Sequence, residues 1–446
     1  MGTWTNWAGN QSAEAVRMEQ PRAADDLAAI VGAAAARRQR VKAVGSGHSF
    51  SGVARPEEVV VDLSNLDDLL SADRDTGVVV VGAGTSLHRL NDLLAGLGLA
   101  LTNLGDIDAQ TIAGAISTGT HGTGERFGGI ATQVVGLEMV MADSTILWCS
   151  PSERREIWSA ARVGLGALGI ITKVALRTVP LFTLRAEEGP MPLDELLNRF
   201  EELATTFDHF EAFWFPHTGS AQVKRNTRLP LTEGLDLLPA WKEWVDDELL
   251  ANRVFGWTVQ LGQRRPSWIR PLNRVAARAL GPRSFTDLSY KVFTSPRRVR
   301  FKEMELAVPR AAATEAIRAV VGAVEASGLN IAFPVELRVA AADDVPLSTA
   351  SGRDSVYLAF HVPASQDHLP YFRLVARVLD DYGYRPHWGK LHDLDAELLR
   401  TRYPRFDEFV GLRQALDPDG VFANRYLDRV LGPCGYPEPP PPPADT

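Results

Sequence analysis

The sequence predicts an α+β protein of two domains. Up to Pro180, short β-branched runs alternate with amphipathic helical segments and sharp glycine turns. From Leu181 the composition shifts toward tryptophan and arginine, with strands set between longer helices, as around Trp214, Trp241, Trp244, Trp257 and Trp268. Pro180 marks the junction. A chain of 446 residues, 45% hydrophobic and 23% charged, holds material for two to four ordinary domains at ~100–200 residues each, so wholesale disorder is excluded.

The elements follow in order. Val16–Glu19 is short and extended, and Pro21 ends it. Ala23–Arg38 is an alanine-rich amphipathic helix with Asp25 and Asp26 in its first turn, where the helix dipole favours anions. Val41–Val44 is a strand that runs into Gly45-Ser46-Gly47-His48-Ser49. Strands follow at Glu58–Asp62 and Gly77–Val81, then a helix over Leu87–Ala95 closed by Gly96. Thr111–Ile116 is a short helix entering Ser117–Gly124. Strands at Gln133–Met141 and Thr145–Cys149 precede a helix over Ser152–Val163 with Ser152 as its N-cap, and Ile170–Thr178 is a long strand. In the second domain Phe210–Phe215, Ala332–Val339 and Ser355–Val362 read as strands of an antiparallel sheet. His387–Leu431 is mostly helical and polar, and Pro437–Thr446 is a disordered proline-rich tail. The expected units are therefore 1–180, 181–385, a C-terminal helical segment 386–432 and the tail 433–446.

Composition excludes several classes. Forty-seven basic against 55 acidic residues give a formal charge of −8, which argues against a general nucleic-acid binder. Two cysteines, Cys149 and Cys434, exclude a disulfide scaffold or a cysteine-rich zinc site and read as reduced thiols. The N-terminal Met1–Trp7 carries neither the basic nor the apolar region of a signal peptide. No run approaches ~18 apolar residues, so no integral membrane segment is expected and a soluble cytoplasmic protein is the default.

Two glycine loops carry histidines. In Val44-Gly45-Ser46-Gly47-His48-Ser49, glycines let successive backbone N–H groups face one concavity, which suits a phosphate or pyrophosphate. Gly119-Thr120-His121-Gly122-Thr123-Gly124 repeats the pattern, so a dinucleotide held by amides rather than lysines is expected. A third loop, Gly82-Ala83-Gly84-Thr85-Ser86-Leu87, begins like a nicotinamide fingerprint, but Leu87 replaces the third glycine and the site is rejected. In Phe333-Pro334-Val335-Glu336-Leu337-Arg338, the i, i+2 spacing on a strand sets Glu336 and Arg338 on one face, where an acid and a guanidinium can orient a polyol. Pro386-His387-Trp388-Gly389-Lys390-Leu391-His392 crowds two imidazoles, an indole and an amine. No carboxylate or cysteine stands at ligand spacing, so no metal is expected there. The run Arg297-Arg298-Val299-Arg300, with Phe301–Glu305 after it, reads as a solvated or domain-bridging face.

Taken together and in this order, the motifs resemble the aldonolactone oxidoreductases of the vanillyl-alcohol-oxidase-type flavoprotein superfamily. Gly164–Ile170, Val299–Glu305 and Leu416-Asp417-Pro418 through Phe422 to Asn424 add to the match, which runs from Asn6-Trp7 to about Leu431. The resemblance implies a two-domain PCMH-type FAD-binding fold with an antiparallel-sheet substrate domain and the isoalloxazine at the interface. It assigns FAD to Val44, Gly45, Ser46, Gly47, His48, Ser49, Gly105, Asp106, Gly114, Ser117, Gly119, Thr120, His121, Gly122, Gly169, Ile171, His387 and Lys390, with a covalent bond through His48. It assigns the substrate to Ser117, Glu336, Arg338, His361 and Lys390, and catalysis to Glu336, Arg338 and Lys390. The implied reaction is hydride transfer to FAD from a secondary alcohol of a gulono-, galactono- or arabinono-1,4-lactone. An alditol or other carbohydrate alcohol is the alternative substrate, and oxygen, a quinone or a cytochrome the electron acceptor.

Overall fold

The computed structural model describes residues 2–239, 255–279, 281–295 and 299–435. Its first sheet is built around Val59–Asp62, whose three valines are fully buried. A β-branched run buried on both faces is what a central parallel strand requires. It pairs in parallel with Ser12–Glu19 and Val41–Val44, and Gly2–Thr5 adds an antiparallel edge. A second, antiparallel sheet has the order Leu69–Asp73, Val78–Gly82, Ile170–Arg177, Val134–Val140, Ile146–Cys149. The helix Ala24–Ala36 joins this core through Leu27, Val31 and Ala34, spaced one turn apart, and Leu87–Gly96 does so through Leu87, Leu90 and Leu94.

Val179–Pro180 pairs with Leu99–Ala100, and two residues later Phe182–Pro192 enters a much larger sheet. That sheet is antiparallel throughout, in the order Arg283–Leu288, Phe182–Pro192, Ser220–Pro230, His209–Trp214, Val335–Ala340, Ser355–Pro363, Phe301–Pro309, Arg385–Pro386. Its two faces are sorted by the strand period of two. Met304, Leu306, Val308, Val335, Leu337, Val339, Val356, Leu358 and Phe360 join the apolar core, as do residues of the helices Ala313–Ala326 and Leu369–Asp380. The alternate positions, Glu211, Phe213, Glu303, Glu305, Glu336, Arg338 and His361, therefore share the opposite face.

Backbone contacts tie the large sheet and the C-terminal segment to the first domain. Gly124 bridges to Ala340, its N–H donating to Val339 O at 2.9 Å. The C-terminal end of the chain returns to the first sheet: Val41 N–H donates to Val421 O at 2.7 Å, and Asn424 Nδ2 donates to Gly52 O and Arg55 O at 3.0 and 2.9 Å.

Several expectations need correction. The helix expected over 152–163 is Arg155–Ala161; Arg154, at φ 50°, occupies its N-cap, and the Ser150 hydroxyl, not Ser152, accepts the Glu153 N–H. Of the two readings given for the basic run and the stretch after it, solvated or domain-bridging, Phe301–Glu305 follows the second. It opens a strand of the large sheet with Phe301, Glu303, Met304 and Glu305 all buried, because its charges find partners across the domain boundary. Both cysteines are free and buried. Trp241, Trp244, Arg297, Arg298 and the tail Pro437–Thr446 lie outside the described residues.

Candidate active site

The strand Val41–Val44 ends in the first glycine loop, and the loop is tied back by Trp7, whose N–H donates to Gly47 O at 2.8 Å. Gly47 sits at φ +70°, a conformation that glycine adopts without strain. Gly45 abuts the helix Ile112–Thr118: a Cβ there would lie 2.3 Å from Thr111 Oγ1, the atom that caps this helix by accepting the Gly114 N–H at 3.3 Å. The result is a groove of about 780 Å³, counting its open mouth. Val44 to Ser49, Gly114, Ser117, Gly169 and Ile171 all line it. Lys42 lies in its wall, Nζ donating to Gly166 O and Phe422 O at 3.2 Å. Burial, aided by Arg413, pulls its pKa down to about 7.

The groove opens into a chamber of about 1130 Å³, and His48, Ser49, Gln110 and Thr118 line both. His48 stacks on Trp7, with ring centroids 5.4 Å apart, and burial lowers its pKa, which favours the neutral imidazole. The chamber's far wall is the charged face of the large sheet. Arg338 is gripped there by Glu336, by Glu211 (Nε–Oε2 3.1 Å) and by Asp106 (Nη2–Oδ1 3.6 Å). Burial opposes the guanidinium's charge, but these carboxylates outweigh it and hold the pKa well above the ordinary value.

Lys390 occupies the second charged cluster. Its ammonium donates to Glu303 Oε1 at 2.5 Å and to Glu305 Oε2 at 2.8 Å. Burial again works against the charge, and the two glutamates reverse it, raising the amine's pKa. His121 Nε2 lies 2.8 Å from Glu305 Oε1 and its Nδ1 lies 2.9 Å from Gly122 O. His361 Nε2 lies 3.4 Å from Glu303 Oε1. His387 accepts the Gly389 N–H at Nδ1, and burial together with Lys390 pushes its pKa down to about 3, so it is neutral. Phe50, Phe213, Phe301 and Phe333 complete the lining, giving an apolar wall with a few convergent charges.

Most of the expected residues converge on this cleft. Gly105, Asp106, Thr120, His121, Glu336, Arg338, His361, His387 and Lys390 line the chamber. Ser117 lines the groove and is absent from the chamber wall that holds Glu336. Gly119 and Gly122 line neither arm. Gly119 is the left-handed C-cap of Ile112–Thr118, and Gly122 packs so closely that a Cβ would lie 2.1 Å from Leu104 O. The amides of Gly119, Thr120 and Gly124 donate to Ile116 O, Ala115 O and Val339 O. The second glycine loop is thus a joint between domains that presents His121 to the chamber, not a second phosphate cradle. The rejected fingerprint loop is also structural: Gly82 and Gly84 crowd the Leu66 and Leu63 carbonyls, and Leu87 is fully buried.

Sequence reasoning missed Lys42, Glu211, Glu303 and Glu305. The alternation in Phe301–Pro309 of Met304, Leu306 and Val308 with Glu303 and Glu305 was the available signal, that of a strand with one apolar and one charged face. His387 and His392 do not converge as ligands; His392 Nε2 instead lies 2.9 Å from the Tyr426 hydroxyl. His121, Glu305 and His387 do bring ligand atoms within 4.8 Å of one another, but Glu305 is already engaged by His121 and Lys390.

The residues fit FAD on their own geometry: a glycine-walled groove closed at residue 45 against a helix end leads past a neutral, half-buried histidine into a charged chamber. A first-domain groove so joined to a chamber lined by both domains defines a two-domain FAD-binding flavoprotein. Solved structures agree on the fold: cholesterol oxidase from B. sterolicum superposes with a TM-score of 0.81 at 16% identity, covering 96% of each chain. The FAD binding domain model matches residues 17–150, and the D-arabinono-1,4-lactone oxidase model matches residues 174–430. L-gulono-1,4-lactone dehydrogenase of Mycobacterium tuberculosis is 42% identical over 96% of this chain and 99% of its own length. L-gulonolactone oxidase of Bos taurus is 32% identical over 96% and 97%, and alditol oxidase of a Streptomyces species 32% over 96% and 98%. The chain belongs to the D-arabinono-1,4-lactone oxidase family.

Proposed function

We propose that this protein is an FAD-dependent oxidoreductase that oxidises a secondary alcohol of a sugar 1,4-lactone of the gulono, galactono or arabinono type. The observation that carries the reading is the charged face of the large sheet, where Glu336, Arg338 and Lys390 converge on a chamber continuous with the cofactor groove. Residues 1–180 serve as the FAD domain, 181–385 as the substrate domain and 386–432 as the segment that returns to the first.

Bound FAD supplies the two-electron acceptor for the hydride that leaves the carbinol carbon. The chain's own residues do the rest. Glu336 accepts a hydrogen bond from a substrate hydroxyl, the proton lost as that hydroxyl becomes a carbonyl passes to Glu336 or to a chamber histidine, and Arg338, held rigid by its carboxylates, steadies charge that develops on the reacting oxygen. Lys390 keeps a fixed positive charge in the chamber, while Glu303 and Glu305 fix its position. The aromatic wall excludes water. His48, neutral and at the junction of the two arms, is the point of covalent attachment. Electrons pass on to oxygen or to a quinone or cytochrome, in a cytoplasmic setting. An open alditol is the second reading: hydroxyl recognition by Glu336 and Arg338 needs no lactone carbonyl, and a relative of 32% identity is an alditol oxidase.

Acid precipitation of the purified protein tests the cofactor reading. A yellow pellet whose flavin peptide contains His48 is expected, and a colourless protein that cannot be reconstituted with FAD refutes it. Bleaching of the bound flavin by the lactones, compared with open alditols and with and without oxygen, separates the substrate readings and identifies the acceptor class.

A further inference from the structure

A pocket outside both the groove and the chamber carries charge that the oxidation does not use. It measures about 750 Å³, counting its open mouth, and lies where the turn Gly52–Ala54, the loop after Lys390 and the helix Arg425–Leu431 meet. None of its lining residues lines the groove or the chamber. Three half-buried arginines, Arg55, Arg425 and Arg429, face one glutamate, Glu57, across it. Arg425 and Arg429 stand four residues apart, on one face of their helix.

The walls are fixed from several directions. Asn424 Nδ2 holds the Gly52 and Arg55 carbonyls, Ser51 Oγ donates to Trp388 O at 2.7 Å, and His392 Nε2 lies 2.9 Å from the Tyr426 hydroxyl. Burial, then Arg429 and His387, brings the His392 pKa down to about 3, so this ring adds no charge. Two of the arginines are anchored by backbone carbonyls: Arg55 Nε donates to Ser12 O at 2.7 Å, and Arg429 Nη1 to Leu394 O at 2.6 Å. The Arg429 guanidinium also lies 5.2 Å from the centroid of the Tyr426 ring. A carbonyl orients a guanidinium but leaves its positive charge uncompensated. Among the described residues neither Arg55 nor Arg429 is paired with a carboxylate. Glu57 does not supply one, because its Oε2 lies 3.0 Å from Arg40 Nη1 and its Oε1 accepts the Arg425 N–H at 2.8 Å. Arg40 holds Asp428 as well, at 3.0 Å. The adjoining arginine is thus compensated where Arg55 and Arg429 are not.

Like charges gathered in one concavity repel, and a bound anion removes that cost. A planar guanidinium fork matches the oxygens of a phosphate, and Arg55 and Arg429 each keep N–H donors beyond the one their carbonyl takes. The pocket is also roomier than a bare phosphate requires, which leaves space for a small organic group. We propose that this pocket binds a phosphate group, carried by inorganic phosphate or by a small phosphate monoester, at a site separate from the catalytic chamber. The site stands apart from the proposed oxidation and needs no turnover to be occupied.

Isothermal titration of the FAD-loaded full chain tests this, with sodium phosphate and with glycerol phosphate, against sodium chloride of equal ionic strength. Saturable binding of a single phosphate is expected, with a rise in the thermal midpoint that chloride does not produce. Arg55→Gln and Arg429→Gln should each weaken binding about ten-fold or more, since each deletes charge-assisted contacts. Flavin absorbance, unchanged in both variants, shows that the fold is intact. Tighter binding of the glycerol ester assigns the site to a phosphate monoester, and equal or tighter binding of inorganic phosphate assigns it to the free anion. No saturable binding by the full chain, the tail carboxylates of Glu438 and Asp445 included, overturns the proposal. Binding that is as tight in both variants as in the wild type overturns it too, and places the phosphate elsewhere.

Discussion

Replacing Lys390 with methionine keeps the length of the side chain and deletes the ammonium that Glu303 and Glu305 share at 2.5 and 2.8 Å. At an effective dielectric of ~20, each contact represents about 6 kcal/mol of Coulomb attraction, most of it offset by desolvation of three buried charges. Removing one partner exposes that penalty, and the expected loss of stability is ~3–5 kcal/mol. The two glutamates, two residues apart on one strand face, are then left facing the chamber beside the imidazoles of His121, His361 and His387. Urea unfolding followed by tryptophan fluorescence reads the loss. The double variant Lys390→Met/Glu303→Gln removes one of the stranded charges and should recover ~1–2 kcal/mol relative to the single variant, a coupling of the size neighbouring charges show. Lactone turnover should stay depressed by ~10²-fold or more in both, because the fixed positive charge is missing in each. A single variant that loses less than ~1 kcal/mol, or a double variant less stable than the single one, would refute the argument that these three groups form one electrostatically coupled unit.

Other consequences are open to measurement. Arg338→Lys keeps a positive charge but loses the planar fork that engages Glu336 and Glu211 together; turnover should fall ~10²-fold or more, as it should for Glu336→Gln, in steady-state assays with a lactone. Gly45→Ala sets a methyl group 2.3 Å from Thr111 Oγ1 and should cost ~1–3 kcal/mol and reduce the flavin content of the purified protein; full flavin occupancy would show that the loop yields. Acid should destabilise the fold through buried neutral histidines. His209 donates from Nδ1 to Thr123 O and accepts the Arg228 Nε–H at Nε2, and burial, then Arg228, pushes its pKa to about 3. Burial likewise brings His387 and His392 to about 3. Above pH 6.5 these rings are neutral in both states and contribute no pH dependence. Below 6.5 the unfolded chain binds protons that the fold excludes, so stability falls by ~1.4 kcal/mol per pH unit for each ring until about pH 3. Urea midpoints between pH 7 and 4.5 check this, and a flat profile contradicts it.

The local grammar of the first domain was readable because its elements are short and punctuated. Gly45 stops Val41–Val44, Pro56 stands ahead of Val59–Asp62, and Gly77 and Gly82 bound the valines of the third strand, while the first glycine loop follows its strand directly. Glu336 and Arg338 were legible from the period of a strand alone. What stayed hidden depends on contacts far apart in sequence. The Glu303–Glu305 strand did not disclose its role, since its partners, Lys390, His121 and His361, come from other segments. The second glycine loop had the composition of a phosphate cradle, yet its amides donate to carbonyls of its own helix and of Val339, which no local pattern discloses. Phe182–Pro192 and Ser220–Pro230 pair along eleven residues, but polar, proline-bearing stretches gave no alternation to announce them.

The strict division of the large sheet has an evolutionary reach. Every side chain that the large sheet contributes to the chamber hangs on a surface whose reverse is packed by two helices, while the glycine-walled groove belongs to a separate layer of the molecule. Exchanges at positions such as Phe213 or His361 can reshape what is accepted without disturbing either the hydrophobic filling behind or the dinucleotide cradle opposite. Such an arrangement lets one flavin scaffold diversify its diet of carbohydrates by small steps, each of them structurally affordable.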